Sequence, residues 1–244
     1  MLNKRIIPTL LLSGGALVKT CRFRSPVYVG DPCNTVRIFN ELEVDEILIL
    51  DISRRRHGAP PDFETLKDLA SEAFVPLSYG GGVTSLSQAR EIFRLGFEKI
   101  VVNSLAIDSP DIVTAIAKEF GSQAVVVSID VKKNIFGKLN VFNPFAQRVR
   151  LSVPEFVEQA ERIGAGEILL TDVDREGTWL GMSDSELFPV VQKSKIPIIF
   201  SGGARSEGDV RAVLYRPEID AVGVGSLVVF QKRNCGVLIN YPFR

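Results

Sequence analysis

Glu46-Ile-Leu-Ile-Leu-Asp51 returns 121 residues further along as Glu167-Ile-Leu-Leu-Thr-Asp172. Val75-Pro-Leu-Ser-Tyr-Gly-Gly-Gly82 returns at the same offset as Ile196-Pro-Ile-Ile-Phe-Ser-Gly-Gly203. Two matches in one register mark an internal duplication of a buried strand followed by a glycine turn. Working outward from them, eight short apolar runs suit strands covered on both faces: Ile6–Leu12, Glu46–Asp51, Val75–Ser78, Lys99–Val102, Ala124–Asp130, Glu167–Thr171, Pro197–Ser201 and Ala221–Val224. Helical periodicity separates them, as in Phe63–Ala73, Ser87–Leu95, Pro110–Phe120, Pro154–Ile163 and Ser183–Lys193. Eight β-α units in 244 residues predict an α/β fold, a (β/α)8 TIM barrel of two fused half-barrels forming one domain over residues 1–244. A doubly wound open sheet is the rival, and the duplication favours closure.

Composition narrows the function. Lys+Arg and Asp+Glu both number 29, so the formal net charge is zero, which argues against a basic nucleic-acid binder or an acidic tail. His57 is the only histidine, which leaves no material for a multi-histidine metal site or a Ser-His-Asp triad. Cys21, Cys33 and Cys235 have no metal-ligand spacing, and their odd number fits a reducing cytoplasm better than a disulfide framework. No metal and no organic cofactor is expected. No apolar run reaches membrane-spanning length, and the run after Lys4-Arg5 reads as a first strand, not a signal peptide.

In such barrels the chemistry sits at the carboxyl ends of the strands. Gly80-Gly81-Gly82 and Gly202-Gly203 fall there, each between a strand and a helix. Glycines either make a tight turn or let backbone N–H groups approach an anion, and the helix that follows favours negative charge. The next strand of each half ends in Asn103-Ser104 or Gly225-Ser226, whose amides and hydroxyls complete a phosphate cup. Two cups on opposite sides of one mouth suit a ligand phosphorylated at both ends. Asp130 ends the fifth strand, where a carboxylate can act as general acid or base or cap its loop. Asp51 ends the second strand and can orient a loop or hold Lys19. Lys19 precedes the loop 20–30, which carries Arg22 and Arg24 and reads as a lid or a solvated loop. Thr171 and Ser201 end strands six and seven and offer hydroxyls to the middle of a ligand. Glu176 and Gly177 lie in the polar loop after strand six, Glu176 being the second carboxylate near the mouth. At the other end, Arg5, Glu46, Lys99 and Glu167 start strands one, two, four and six, and read either as a ring of ion pairs or as ordinary charged strand ends.

Together these residues resemble the cyclase subunit of imidazole glycerol phosphate synthase. The resemblance runs from Met1 to about Phe230. It rests on Lys4-Arg-Ile-Ile7, Gly30-Asp-Pro32, Leu50-Asp51, Gly80-Gly-Gly82, Gly121-Ser-Gln-Ala-Val-Val-Val127, Ile129-Asp130, Gly164-Ala-Gly-Glu-Ile-Leu-Leu-Thr171, Asp174-Arg175, Gly177-Thr178 and Ser201-Gly-Gly203. The resemblance implies a (β/α)8 barrel with a glutaminase partner docked on its bottom. Ammonia released there passes the charged ring, matched by Arg5, Glu46, Lys99 and Glu167, and crosses the barrel. At the mouth it attacks a bisphosphorylated ribulosyl formimino-carboxamide ribotide, with two aspartates as acid and base. The products are imidazole glycerol phosphate and an aminoimidazole carboxamide ribotide.

The departures are specific. One catalytic aspartate of the family matches Asp130, while the other position, at the end of strand one, holds Leu11. The duplication agrees, because Ile7-Pro-Thr-Leu-Leu11 is the counterpart of Val126-Val-Ser-Ile-Asp130. The family's cysteine near this position is Thr9, its strand-six-loop aspartate is Glu176, and its glycine after Lys19 is Thr20. The stretch 143–150 lacks the family's small polar character, and 231–244 reads as too short for the family's final helix. Two functions follow. One is an ammonia-using cyclase subunit working through Asp130. The other is a non-cyclising relative that conducts ammonia to a third protein, such as a sugar amidotransferase of surface polysaccharide synthesis. A sugar-phosphate isomerase of the same pathway ranks last, since it needs an acid at strand one and no charged ring.

Overall fold

The computed structural model describes residues 4–143, 151–182 and 186–243. Eight parallel strands form the barrel: β1 (Arg5–Ser13), β2 (Ile47–Asp51), β3 (Leu77–Gly80), β4 (Lys99–Val102), β5 (Val125–Lys133), β6 (Glu167–Asp172), β7 (Ile198–Ser201) and β8 (Ala221–Val224). Each pairs with its sequence neighbour, and β8 pairs back onto β1 from Arg5↔Ala221 to Pro8↔Val224, so the sheet is closed. The open-sheet alternative is thereby excluded. Helices including Pro32–Glu41, Phe63–Glu72, Leu86–Arg94, Pro110–Phe120, Val153–Arg162 and Glu207–Leu214 occur between the strands. None of the described helices is long and apolar enough to cross a membrane.

Alternation along the strands fills the interior. Ile7, Leu48, Val101, Val126, Leu169, Ile199 and Ala221 form a buried apolar cluster inside the barrel, while Ile6, Leu10, Leu12, Val127, Leu170 and Phe200 belong to the larger core cluster. A packed interior of branched residues is the expected filling of this fold.

The structure corrects several expectations. β3 begins two residues later than Val75–Ser78 and runs into Gly80. Pro76 lacks an N–H to donate and contributes only its carbonyl, to Ile47 N at 2.9 Å. The loop 20–30 is largely a paired strand whose ladder carries register shifts, and most of its side chains are exposed. Ala16–Cys21 pairs antiparallel with the end of β1, and Arg24–Gly30 pairs with Ala16–Cys21. Gly14 and Gly15, with φ of 61° and 79°, make the two-residue turn that starts this hairpin. A second hairpin prolongs β5 and returns through Leu139–Val141. The helix expected over Ser183–Lys193 is the single turn Phe188–Val191, with 183–185 outside the described residues. Within 143–150 only Asn143 is described. After β8 the helix Ser226–Val229 is one turn, and the following chain returns to the barrel bottom. There Tyr241 Oη donates to the Ile6 carbonyl at 3.0 Å and Phe243 is buried.

Candidate functional site

At the carboxyl ends of the strands lies a cavity of about 510 Å3. It is lined by both glycine turns, Leu11, Lys19, Asn103, Ser104, Asp130, Thr171, Glu176, Ser201, Gly225 and Ser226, so one mouth gathers nearly every residue expected from the sequence.

The two cups share one internal geometry. Asp51 is buried and accepts from Ser53 N at 3.0 Å, Ser53 Oγ at 2.6 Å and Arg54 Nε at 2.9 Å. Its duplicate Asp172 faces Arg175 Nε at 3.6 Å. Asp51 thus shapes its own turn, with Arg54 and not Lys19 as its cation. Gly81 and Gly202 have φ of 138° and 120°, and a Cβ on either would stand 2.6 Å from the Asp51 carbonyl or 2.7 Å from the Asp172 carbonyl. Both turns therefore require glycine for close approach as well as for conformation. Asn103 and Gly225 repeat an unusual backbone setting, with φ, ψ of −119°, −82° and −110°, −86°. Each precedes a short helix, beginning at Ser104 or Ser226. N–H groups facing a cavity next to glycine turns suit a phosphate.

Asp130 ends the barrel portion of β5 within the mouth. Asn103 Nδ2 donates to its Oδ2 at 2.8 Å, and Ser128 Oγ approaches Oδ1 at 3.4 Å. Burial raises its carboxyl to about 7, against the opposing effect of hydrogen bonds from Ser128, Thr171 and Asn103. A carboxyl balanced there can give or take a proton near neutrality. Leu11 also lines the cavity and carries no proton. The sequence carries no signal for Ser128 beyond its place two residues before Asp130. Asn103, expected in a phosphate cup, also positions Asp130.

Lys19 and Glu176 form a buried ion pair. Burial lowers the Lys19 ammonium to about 8, and Glu176 is its carboxylate partner. Glu176 also faces Thr20 Oγ1 at 3.2 Å, and Arg22 N donates to the Glu176 carbonyl at 2.9 Å. A Cβ on Gly177 would stand 2.2 Å from the Thr20 carbonyl. These contacts clamp the first hairpin onto the strand-six loop and bring Phe23 into the wall of the mouth. Thr171 and Ser201 line the cavity from below, and Asn143 Nδ2 donates to Ser104 Oγ at 3.2 Å.

At the barrel bottom the four charged residues close a ring. Arg5 pairs with Glu46 at 2.7 Å and with Glu167, while Lys99 pairs with Glu46 at 2.9 Å and Glu167 at 3.0 Å. Desolvation opposes the Arg5 charge, but Glu167 and Glu46 outweigh it and its pKa is raised. The sequence pattern did not reveal that Ser78, fully buried, donates to Glu46 Oε1 at 2.6 Å. Among the described residues no group of three His, Cys, Asp or Glu could hold a metal ion.

Fold and mouth define a duplicated half-barrel protein with a cavity at the carboxyl ends of its strands, walled by a matched pair of glycine turns. The family described as histidine biosynthesis protein matches residues 5–234, and the chain belongs to it, as a diverged HisF-type member. It is 43% identical over 246 residues to a Leptospira interrogans protein provisionally named imidazole glycerol phosphate synthase subunit HisF, covering 100% of this chain and 97% of that one. It is 41% identical over 243 residues to a Pseudomonas aeruginosa protein provisionally named the hisF2 subunit, covering 99% and 97%. It is 35% identical over 228 residues to the imidazole glycerol phosphate synthase subunit HisF of Alkaliphilus metalliredigens, covering 93% and 90%.

Proposed function

We propose that the chain is the barrel subunit of an imidazole glycerol phosphate synthase-type glutamine amidotransferase complex in the cytoplasm. A glutaminase subunit docks on the barrel bottom and releases ammonia under the ring of Arg5, Glu46, Lys99 and Glu167. Ammonia then crosses the interior to the mouth, where the two cups hold a bisphosphorylated ribotide. The observation that carries this reading is the alignment of its parts on one axis: a charged ring at the strand starts, an apolar interior, and a mouth with two matched cups and one acid.

The residues divide the work. The four-residue ring satisfies its own charges, so passage requires one pair to part. The apolar layer above it admits neutral ammonia and disfavours ions. Gly82, Asn103 and Ser104 hold one phosphate; Gly202, Gly203, Gly225, Ser226 and Lys19 hold the other. Thr171 and Ser201 face the middle of the ligand, and Asp130 moves the proton that carbon–nitrogen bond making and breaking requires.

Leu11 favours a second reading on its own. A positioned acid or base contributes about 10²–10⁴-fold, and this chain lacks one of the family's two. A barrel that keeps the conduit and one acid suits delivery of ammonia to a third protein, with a sugar amidotransferase as the acceptor class. Ammonia-dependent turnover of the bisphosphorylated ribotide, measured for wild type beside Leu11→Asp, separates the readings. Turnover by wild type supports the cyclase. An inactive wild type with activity gained in Leu11→Asp supports the conduit. Inactivity of both, with no ribotide binding, overturns the assignment of the mouth.

A further inference from the structure

A second cavity, of about 620 Å3, opens on the outer side of the first hairpin. Three segments meet around it: residues 19–27 of the hairpin, 177–180 of the strand-six loop, and 226–235 after β8. It shares Lys19, Thr20, Gly177, Trp179 and Ser226 with the mouth, so it is a vestibule to the second cup.

Its chemistry is one-sided. Lys19, Arg22 and Arg233 line it, and among the described residues no aspartate or glutamate does. Lys19 pairs with Glu176, while among the described residues no carboxylate forms an ion pair with the other two. Arg22 Nε donates to the carbonyl of Asp174 at 2.9 Å, which orients the guanidinium without cancelling its charge. Arg233 is exposed and has no hydrogen-bond or ion-pair partner among the described residues. In a chain of zero net charge, two uncompensated guanidinium groups beside a cavity need an explanation. Backbone conformation supplies a second, independent observation. Six described non-glycine residues have positive φ, and four of them line this vestibule: Arg22 at 52°, Ser25 at 52°, Trp179 at 61° and Asn234 at 58°. Left-handed backbone in ordinary residues is costly and collects at ligand clamps. Here it holds three chain segments around one space.

We propose that the vestibule is an anion subsite continuous with the second cup. The ligand held there carries two neighbouring anionic groups, a pyrophosphate linkage being the simplest form. One phosphate lies over Gly203, Gly225 and Ser226, and the next lies between Arg22 and Arg233. This rests on reading the second cup as a phosphate site, and adds an anion position outside the span between the two cups.

Trp179 is the only tryptophan of the chain and lines both cavities, so its fluorescence reports on either. The whole protein is titrated with inorganic phosphate and with inorganic pyrophosphate at constant ionic strength. Charge-assisted hydrogen bonds to guanidinium groups give an expected preference for pyrophosphate of about tenfold or more. Arg233→Ala is expected to remove most of that preference and leave phosphate affinity unchanged; Arg22→Gln is the second variant. Lys138→Ala, on the other hairpin, controls for general charge attraction, and thermal melting verifies folding of each variant. Equal affinity for the two anions overturns the subsite and leaves the cup intact. A preference that survives both arginine variants, or falls equally in Lys138→Ala, also overturns it. Failure of both anions to bind overturns the cup together with the subsite.

Discussion

The first half-barrel and the second agree at the turns and disagree at the two ends of the axis. Asp51 with Arg54 repeats as Asp172 with Arg175, and Gly81 and Gly82 repeat as Gly202 and Gly203. Glu46 repeats as Glu167 in the bottom ring, but both cations of that ring come from the first half. The counterparts of Arg5 and Lys99 are Ala124 and Ala221, both buried. At the mouth the imbalance reverses: Asp130 belongs to the second half and its counterpart is Leu11. What duplication preserved on both sides is the glycine-turn backbone, which the proposed ligand, phosphorylated at both ends, would need twice. What differs is what, on the proposed function, a single ammonia and a single proton would need once.

The comparison breaks most sharply at Asp130. On the cyclase reading Asp130→Asn lowers ammonia-dependent turnover by about 10²–10⁴-fold, and Leu11→Asp, which restores the symmetric acid, raises it. Steady-state rates with saturating ammonium salt measure both. Unchanged amidation of a third acceptor in Asp130→Asn supports the conduit instead.

The ring is the next largest effect. Glu46→Ala removes the one acid among the described residues that touches Arg5, Lys99 and Ser78 together, leaving two partly buried cations on Glu167. Breaking such a network costs about 3–5 kcal/mol. Denaturant unfolding should register the loss, and glutamine-dependent activity should fall relative to ammonia-dependent activity. Equal losses in the two activities would mean that the ring is only a structural plug.

Asp130 also makes a prediction about stability. Its folded carboxyl titrates at about 7, well above the ordinary range for aspartate. Between those values the native state binds the extra proton, so stability falls as pH rises and the whole cost is present above pH 7. Asp130→Asn should therefore be more stable than wild type by on the order of a few kcal/mol at pH 8 and nearly equal to it at pH 4. Melting curves at the two pH values test the sign, and a variant destabilised at pH 8 would contradict it.

Much of this asymmetry was legible in the sequence, and the exceptions have physical causes. The eight barrel strands and the closure followed from repeat register and continuous apolar runs, because strand burial and glycine turns are local; the four charged strand starts stayed open between a ring and ordinary ends until the family resemblance favoured the ring that the structure closes. The first hairpin was half legible. Gly14-Gly15 announces a two-residue turn, but the return turn is Arg22-Phe23, with φ of 52° and 61°, and neither residue type signals a left-handed pair. Sequence leaves Asp51 between its loop and Lys19, because an aspartate at a strand end says nothing about which cation the fold brings to it. Ser78 and Ser128 were invisible for a related reason: a buried hydroxyl has no pattern until its carboxylate partner is placed. Arg233 and Trp179 line one cavity from separate loops, which no spacing rule connects.

The smallest effects sharpen the comparison most finely, since they fall where the halves agree. Gly81→Ala and Gly202→Ala should each destabilise by about 2–3 kcal/mol, and by nearly the same amount, because each Cβ meets a backbone carbonyl that cannot move aside. The arginines beneath them should differ. Arg54 holds Asp51 at 2.9 Å and also reaches Asp62 at 3.0 Å, with about a fifth of its side chain exposed. Arg175 stands 3.6 Å from Asp172 and donates otherwise to the carbonyls of Leu180 and Gly181 at 3.4 and 3.2 Å. Arg54→Ala should therefore cost about 1–2 kcal/mol and Arg175→Ala under about 1 kcal/mol, read from denaturation midpoints at equal slopes. The reverse order would place the firmer turn in the second half and assign the tighter phosphate cup to Gly202-Gly203.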